Sequence, residues 1–280
     1  MQLPTLRRVQ MCELDILIEI RRVCEKLDIP YWMDYVSLLG AVRHKGFIPW
    51  DDDIDIGMLR VHYERFLREA PGELKEKYYL QTWTSDPDYG LPYAKVRDES
   101  TLFSERNDSD KNKHKGVFVD IFPYDTYPEE IPDMKRQKKE QNRLRRLVLA
   151  KCEYKPYASD TGVYRIAKSV YYRFLRLLAK GVSKEKLIRQ YETSAQWFNG
   201  YQTGFYYGHT GDGEYEKTIV NMENVESRSV CTFEGEKFAA PFDVDMHLSH
   251  LYGDYMTPPP PEARVSGHNV LKIEFEVDKK

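Results

Sequence analysis

The sequence predicts an α+β fold, a β-sheet core flanked by helices with a basic helical segment set into its middle. Three observations lead there. Apolar residues recur at three- and four-residue steps near the N-terminus, apolar and acidic residues alternate with period two around residue 54, and residues 131–190 place 17 Lys or Arg against 5 Asp or Glu at helical spacing. With 280 residues, 41% of them hydrophobic, the chain can bury one elaborated core, or one core plus a subdomain.

The elements follow in order. Leu6, Val9, Leu14, Leu17, Ile20, Val23, Cys24 and Leu27 form one face of a helix over 5–27, which Asp28 and Pro30 stop. "PYWMDYVSLLGAVRHKG" then reads as a short strand running into a glycine-interrupted turn and a helical turn. A second strand follows Pro49, with Ile54 and Ile56 on one face and Asp53 and Asp55 on the other. In "YAKVRD", Lys95 and Arg97 share a strand face, and "KGVFVDIFPYD" is a buried strand that holds Asp120. Residues 128–200 have helical spacing, with Ile166, Val170, Phe174, Leu177 and Leu178 on one face and Lys168, Arg173, Arg176 and Lys180 elsewhere. In the tail, "KFAAPF" and "VLKIEFEV" read as strands around one helix, with a proline run as a stiff bend after "YGDYM". The organisation expected is a core over 1–127, a basic helical insertion over 128–200 and a segment over 201–280 that completes the core.

The stretch "GFIPWDDDIDIGM" raises the question of chemistry, because it crowds four carboxylates beside residues that want burial. Side chains at i and i+2 on a strand lie roughly 6.5–7 Å apart at the backbone, close enough for two carboxylates to converge on one divalent cation. Like charges at that spacing are unfavourable unless a cation neutralises them or a proton is retained. Asp52 falls out of phase and reads as a loop residue, and Asp51 lies where it caps a turn or supports the pair. A solvated acidic surface is the plain alternative, which the flanking Ile54, Ile56 and Met58 disfavour. The stretch fails the EF-hand ligand pattern. A lone carboxylate at Asp120 must be paired, protonated or metal-bound, and a salt bridge to a nearby Arg is its structural alternative.

Other classes are excluded more simply. Cys12, Cys24, Cys152 and Cys231 are scattered without a CxxC, which suggests neither a zinc site nor a disulfide framework and fits a reducing cytoplasm. No apolar run has the character of a signal peptide or the length of a membrane span. The expected location is cytoplasmic, either free or peripheral at the inner face of the membrane. The basic helices either pack on their own domain or rest on an anionic membrane surface. No nucleic-acid motif accompanies the charge, so no nucleic-acid partner is expected.

"SLLGAVRHKGFIPWDDDIDIGM", "PYAKVRDESTLF", "GVFVDIFPYD" and "LYGDYMTPPPPEAR" together resemble the LicD family of phosphotransferases, relatives of fukutin and fukutin-related protein. The motifs come in the family's order and frame nearly the whole chain. The resemblance implies a nucleotidyltransferase-like mixed β-sheet core: Ser37 at the turn, Asp53 and Asp55 as the acidic pair, Asp120 as the third acid. The chain departs from the family at Val36, where glycine is usual. The activity implied is transfer of phosphocholine from CDP-choline, or of another CDP-linked alditol phosphate, to a glycan hydroxyl, with a lipid-linked glycan as one acceptor class. Mg²⁺ or Mn²⁺ on Asp53, Asp55 and Asp120 would face the diphosphate. One of the acids or His44 would take the hydroxyl proton, and Ser37, Gly40, Arg43, Lys45, Trp50, Lys95 and Arg97 would bind substrate. Tyr31, Trp32, Trp50, Trp83 and Tyr93 are candidates for an aromatic cage around choline, and Arg264 and His268 for an approach from the tail. Nucleotidyl transfer with release of pyrophosphate, and a non-catalytic basic binding module, are the competing readings.

Overall fold

Strand β6 (Val117–Thr126), buried along its whole length, is the axis of the fold. The structure is a computed structural model that describes residues 3–158, 160–201, 203–209 and 218–275. On one edge β6 pairs in parallel with β2 (Asp55–Leu59), which in turn pairs with the two-residue β1 (Trp32–Met33). On the other edge it pairs antiparallel with β4 (Ala94–Asp98) and, further along, with β7 (Phe205–Gly208). The strands β3 (Tyr78–Gln81) and β8 (Ile219–Asn221) complete a seven-stranded mixed sheet. Two further two-stranded antiparallel sheets pair β5 (Thr101–Glu105) with β11 (Val270–Phe275), from distant parts of the chain, and β9 (Arg228–Phe233) with β10 (Glu236–Pro241) as a hairpin. The expected last strand runs on to residues 276–277, which lie outside the described residues.

Eight α-helices surround the sheet among the described residues. α1 (Leu3–Leu27) lies on β6 and β4 and buries Leu14, Leu17, Ile20 and Val23, each worth roughly 2 kcal/mol of apolar burial. α2 (Tyr35–His44) begins at Asp34, whose side chain accepts the Tyr35 N–H, and α3 (Arg60–Glu69) follows β2 directly. α4 (Ile131–Lys151), α5 (Gly162–Ala179) and α6 (Lys184–Ala195) pack around a core of their own, in which Leu144, Val148, Leu187 and Tyr191 meet Trp83. α7 (Met222–Glu226) and α8 (Val244–Tyr252) flank the β9–β10 pair.

Two local expectations change. Residues 35–44 are a full helix with Gly40 inside it, not a glycine-interrupted turn. A Cβ at Gly40 would lie 2.5 Å from the Gly46 carbonyl oxygen, so the returning chain, rather than a turn, requires glycine there. The regular strand also starts at Asp55, not after Pro49. The first ladder bond on this side is Asp120 N–H to the Ile54 carbonyl (2.9 Å), and residues 51–54 before it belong to no strand.

At its far end β6 is pinned by a buried ionic network. Asp125 accepts from Arg60 Nε (3.0 Å), Asn199 Nδ2 (2.6 Å) and His209 Nε2 (2.7 Å), while Arg60 Nη1 reaches Glu192 (2.7 Å). Burial would raise the Asp125 carboxyl, but Arg60 and His209 outweigh it and hold it well below the usual carboxylate range.

Candidate active site

The parallel register of β2 and β6 sets Asp55 directly beside Asp120, and the antiparallel register of β6 and β4 sets Lys95 on Asp120's other side. Residues opposite one another on neighbouring strands point to the same face, so an acid, an acid and a cation form a row across three strands about 4.8 Å apart. Asp53 approaches from the segment just before β2. Lys95 Nζ donates to Asp120 Oδ2 (3.0 Å) and lies 2.7 Å from Oδ1, an oxygen that receives no directed hydrogen bond. The ammonium also sits 3.3 Å from the centre of the Phe118 ring.

Four carboxylates here share one unfavourable field. Burial raises Asp55 well above the ordinary range, and the charges of Asp53, Asp120 and Asp51 push it further. Asp53 is raised by burial, with His268 and Lys95 opposing and Asp52 and Asp120 adding. Asp120 rises through burial in spite of Lys95, and Asp51 rises through burial and through Asp53. The cluster therefore retains protons or takes up a cation. The cationic charge that reaches these acids comes from Lys95 and His268, and at Asp120 also from Arg97, not from His44.

The surrounding residues hold the acids in place. Ser37 Oγ accepts the Asp55 N–H (2.8 Å), so the serine of α2 fixes the start of β2. Asp34, fully buried, donates its N–H to the Asp55 carbonyl (3.0 Å), and its carboxylate accepts from Trp32 Nε1 (3.1 Å), the Tyr35 N–H (2.9 Å), Tyr124 Oη and His247 Nε2 (2.9 Å). Val36 lies inside α2, and the positive φ nearby belongs to Tyr35 (43°). The family's glycine position is therefore occupied here by ordinary helix.

Asp52 lies in the loop before β2, as its phase implied, but it does not face solvent. It is fully buried and binds the tail, accepting from Ser266 Oγ (2.5 Å) and His268 Nδ1 (3.1 Å). Burial would lower His268, yet its hydrogen bond to Asp52 and the charges of Asp53 and Glu105 hold the imidazolium well above its ordinary range. Asp52, Asp53 and His268 offer ligand atoms all within 4.8 Å of one another. A protonated His268 already paired to Asp52 makes that trio an ion-paired strap more than a ligand set. Beneath it, Gln10 Nε2 donates to the Asp51 carbonyl (2.9 Å). Glu13, 1% exposed, is raised by burial and by Asp53, Asp52 and Asp51, and its Oε2 has no hydrogen-bond partner. Gln10 and Glu13 were absent from the sequence reading, although two polar residues on the apolar stripe of α1 were the signal for them.

The remaining predicted residues divide into two groups. Arg43, His44 and Trp50 gather at the C-terminal end of α2, where Arg264 from the tail lies over the Trp50 ring at 5.4 Å and the His44 ring stands 6.3 Å from it. Burial and the Arg264 charge lower Arg43, and burial and Arg43 lower His44. Arg43 Nε and His44 Nδ1 are buried without partners, so this cationic corner would gain from an anion. Lys45, exposed, ends α2 in a left-handed conformation. Arg97, in contrast, is 1% exposed and committed to Gln81 Oε1 and the Gly116 carbonyl (2.7 Å). Of the aromatic candidates, Tyr31, Trp32 and Trp83 are core residues, Trp32 lying against Gly57. Tyr93 is half-buried with its ring 5.4 Å from Lys95 Nζ.

Residues 28–159, which contain Ser37, Asp53, Asp55, Lys95 and Asp120, match the family model described as LicD/FKTN/FKRP, nucleotidyltransferase domain. Over 266 residues the chain is 29% identical to the lipopolysaccharide cholinephosphotransferase LicD of Haemophilus influenzae, an alignment that covers 94% of this chain and 96% of that protein. It is 30% identical over 114 residues to an uncharacterized protein of Rickettsia prowazekii, covering 41% of this chain and 39% of that one. A shorter stretch of 36 residues is 50% identical to the ribitol 5-phosphate transferase FKRP of Homo sapiens, covering 13% of this chain and 7% of that protein.

Proposed function

The chain belongs to the LicD family, and from that premise we propose that it is a phosphotransferase that moves phosphocholine from CDP-choline to a hydroxyl of a cell-surface glycan and releases CMP. The single observation that carries this reading is the row Asp55, Asp120 and Lys95 across β2, β6 and β4, with Asp53 just before it. An acidic pair entering one strand and a third acid on its parallel neighbour support a nucleotidyltransferase-like reading of the fold, with residues 128–200 as its basic insertion. The likeness that spans nearly the whole chain is to a protein named for cholinephosphate transfer to lipopolysaccharide. The likeness to a ribitol 5-phosphate transferase covers 36 residues. That difference in extent favours choline.

Asp53, Asp55 and Asp120 suit Mg²⁺ or Mn²⁺. They are hard oxygen donors, burial raises the proton affinity of all three, the neighbouring acids raise Asp53 and Asp55 further, and Asp120 keeps an oxygen without a directed donor. Bound there, such a cation would neutralise charge on the donor diphosphate. Lys95, held in the row by Asp120 and Phe118, supplies a fixed positive charge for the non-bridging oxygens. Arg43 and Arg264 give up their mutual repulsion when an anionic group of donor or acceptor lies between them. The acceptor oxygen bonds to the phosphorus that carries choline, the bond from that phosphorus to the CMP oxygen breaks, and the hydroxyl proton passes to a carboxylate of the cluster. A carboxylate raised by burial is a better proton acceptor near neutral pH than an exposed one.

Calorimetric titration with CDP-choline, CDP-ribitol, CDP-glycerol and CTP, with and without Mg²⁺, tests the donor. Binding that requires the metal and prefers CDP-choline supports the reading, and indifference to all four ligands sinks it. Product analysis separates the bonds: CMP marks phosphocholine transfer, and pyrophosphate from CTP would replace it with nucleotidyl transfer.

A further inference from the structure

Helix α5 is turned the wrong way round for a helix that serves only its own domain. Its packed stripe is narrow: Tyr172, Leu175 and Ala179 rest on the neighbouring helices, and Arg176 Nε donates to the Ala150 carbonyl of α4 (3.3 Å). The larger apolar side chains face outward. Val163, Ile166, Val170, Phe174, Leu177 and Leu178 are between 54% and 79% exposed. At about 100° per residue these six fall within one arc of roughly 120°. Tyr164 and Tyr171 border the arc on one side and Arg173 and Lys180 on the other. Soluble surfaces seldom leave a contiguous apolar patch of this kind uncovered.

The charge around the arc identifies what covers it. α5 contains no Asp or Glu, and the cations that border the arc are Arg173 and, at its end, Lys180, while Lys168 turns to Asp160 (2.7 Å) and Arg176 to α4. A second copy of the chain laid face to face would bring these like charges together, and a nucleic acid would leave the apolar arc wet. At 18 residues α5 is about 27 Å long, and no described helix is long and apolar enough to cross a membrane. We infer that α5 is a membrane-surface helix, whose apolar arc enters the boundary between headgroups and acyl chains of an anionic bilayer while its flanking cations meet lipid phosphates. Tyr164 and Tyr171 sit at the edge of the arc, at the level where tyrosine rings favour the headgroup interface. The inference stands on exposure and charge alone and does not depend on the proposed reaction. If both hold, the site works where lipid-linked acceptors are anchored.

Co-sedimentation of the full chain with vesicles tests it, comparing phosphatidylcholine alone with an equal mixture of phosphatidylcholine and phosphatidylglycerol. The expected result is at least about tenfold stronger partitioning to the anionic vesicles, weakening as salt rises. The triple change Ile166→Gln, Phe174→Gln and Leu177→Gln should cut that binding by about tenfold or more, since it removes apolar contacts that only the bilayer covers. Because these side chains are exposed, thermal stability should be unchanged, which separates lost docking from misfolding. Wild-type protein that stays in the supernatant with both vesicle types overturns the inference, as does a triple variant that binds as tightly as wild type. A wild-type dimer that the triple change splits, without vesicle binding, also overturns it and assigns the face to a second copy.

Discussion

Strand β6 carries two buried carboxylates five residues apart, Asp120 at 4% exposure and Asp125 at 1%, and the protein treats them in opposite ways. Asp125 receives Arg60, Asn199 and His209, and is held below the usual carboxylate range. Asp120 receives Lys95 alone, stands beside Asp55, and is raised by burial that the nearby cations do not outweigh. Strand and depth are nearly the same, so neither decides. A buried charge whose partners satisfy it ties elements together, here α3, α6, β6 and the residue that follows β7. A buried charge set among like charges is poised to take up something that the chain does not itself provide.

The comparison breaks or holds first on Asp55→Asn. Losing one of three clustered acids should lower CDP-choline turnover by at least about a thousandfold while leaving metal-free thermal stability unchanged or higher, because like-charge repulsion is relieved. Phosphorus NMR of product formation and differential scanning calorimetry read the two sides. Equal losses of activity and stability would show that the two ends of β6 do not differ in kind. Asp125→Ala should do the reverse and cost about 3–5 kcal/mol in denaturant unfolding, since it strands Arg60 in the interior. A loss below about 1 kcal/mol would remove Asp125 from the structural role.

A pH series sharpens the contrast. Asp51, Asp53, Asp55 and Asp120 are raised on folding, so between about pH 5 and 8 the folded state holds more protons than the unfolded one. Metal-free stability must therefore fall as pH rises, by at most about 1.4 kcal/mol per pH unit for each proton retained. His268, also raised, adds stability that is lost in the same direction. Asp125 is depressed, so its contribution is complete above about pH 4 and is lost only below that, leaving no slope in this window. Saturating Mg²⁺ should flatten the fall. Unfolding midpoints that rise with pH in the absence of metal would contradict the raised cluster.

How much of this was legible in the sequence depends on how far apart the partners lie. The opposition of Ile54 and Ile56 to Asp53 and Asp55 is a local period-two pattern and could be read directly. That Asp120 stands beside Asp55, and Lys95 beside Asp120, is a matter of strand register, which no local pattern specifies when both faces of a strand are buried. Asp52 does precede the regular strand, as its phase suggested, but its burial and its partners were not legible. The phase argument assumed regular strand from residue 50, whereas the ladder starts at Asp55, and the partners Ser266 and His268 arrive from the far end of the chain. Gly40 was read as a turn signal because the close approach of Gly46 is tertiary. In α5 the spacing gave the amphipathic pattern but not which face would point outward.

The smallest effect expected belongs to Glu13, and it decides where the functional cluster ends. Its carboxyl is buried beneath Asp51, Asp52 and Asp53, is raised by burial and then by their charges, and has an oxygen without a partner. Those features match either a fourth ligand or a charge that only deepens the negative potential. Glu13→Gln preserves the shape, removes the charge and gives the neighbouring carboxylates a donor. If Glu13 acts only through the field, the variant should be about 1 kcal/mol more stable near neutral pH, hold its cation a few-fold more weakly and keep most of its turnover. Turnover that collapses as far as in Asp55→Asn would instead make α1 part of the site, and the boundary between satisfied and poised carboxylates would then run through the helix that packs on β6, not along the strand.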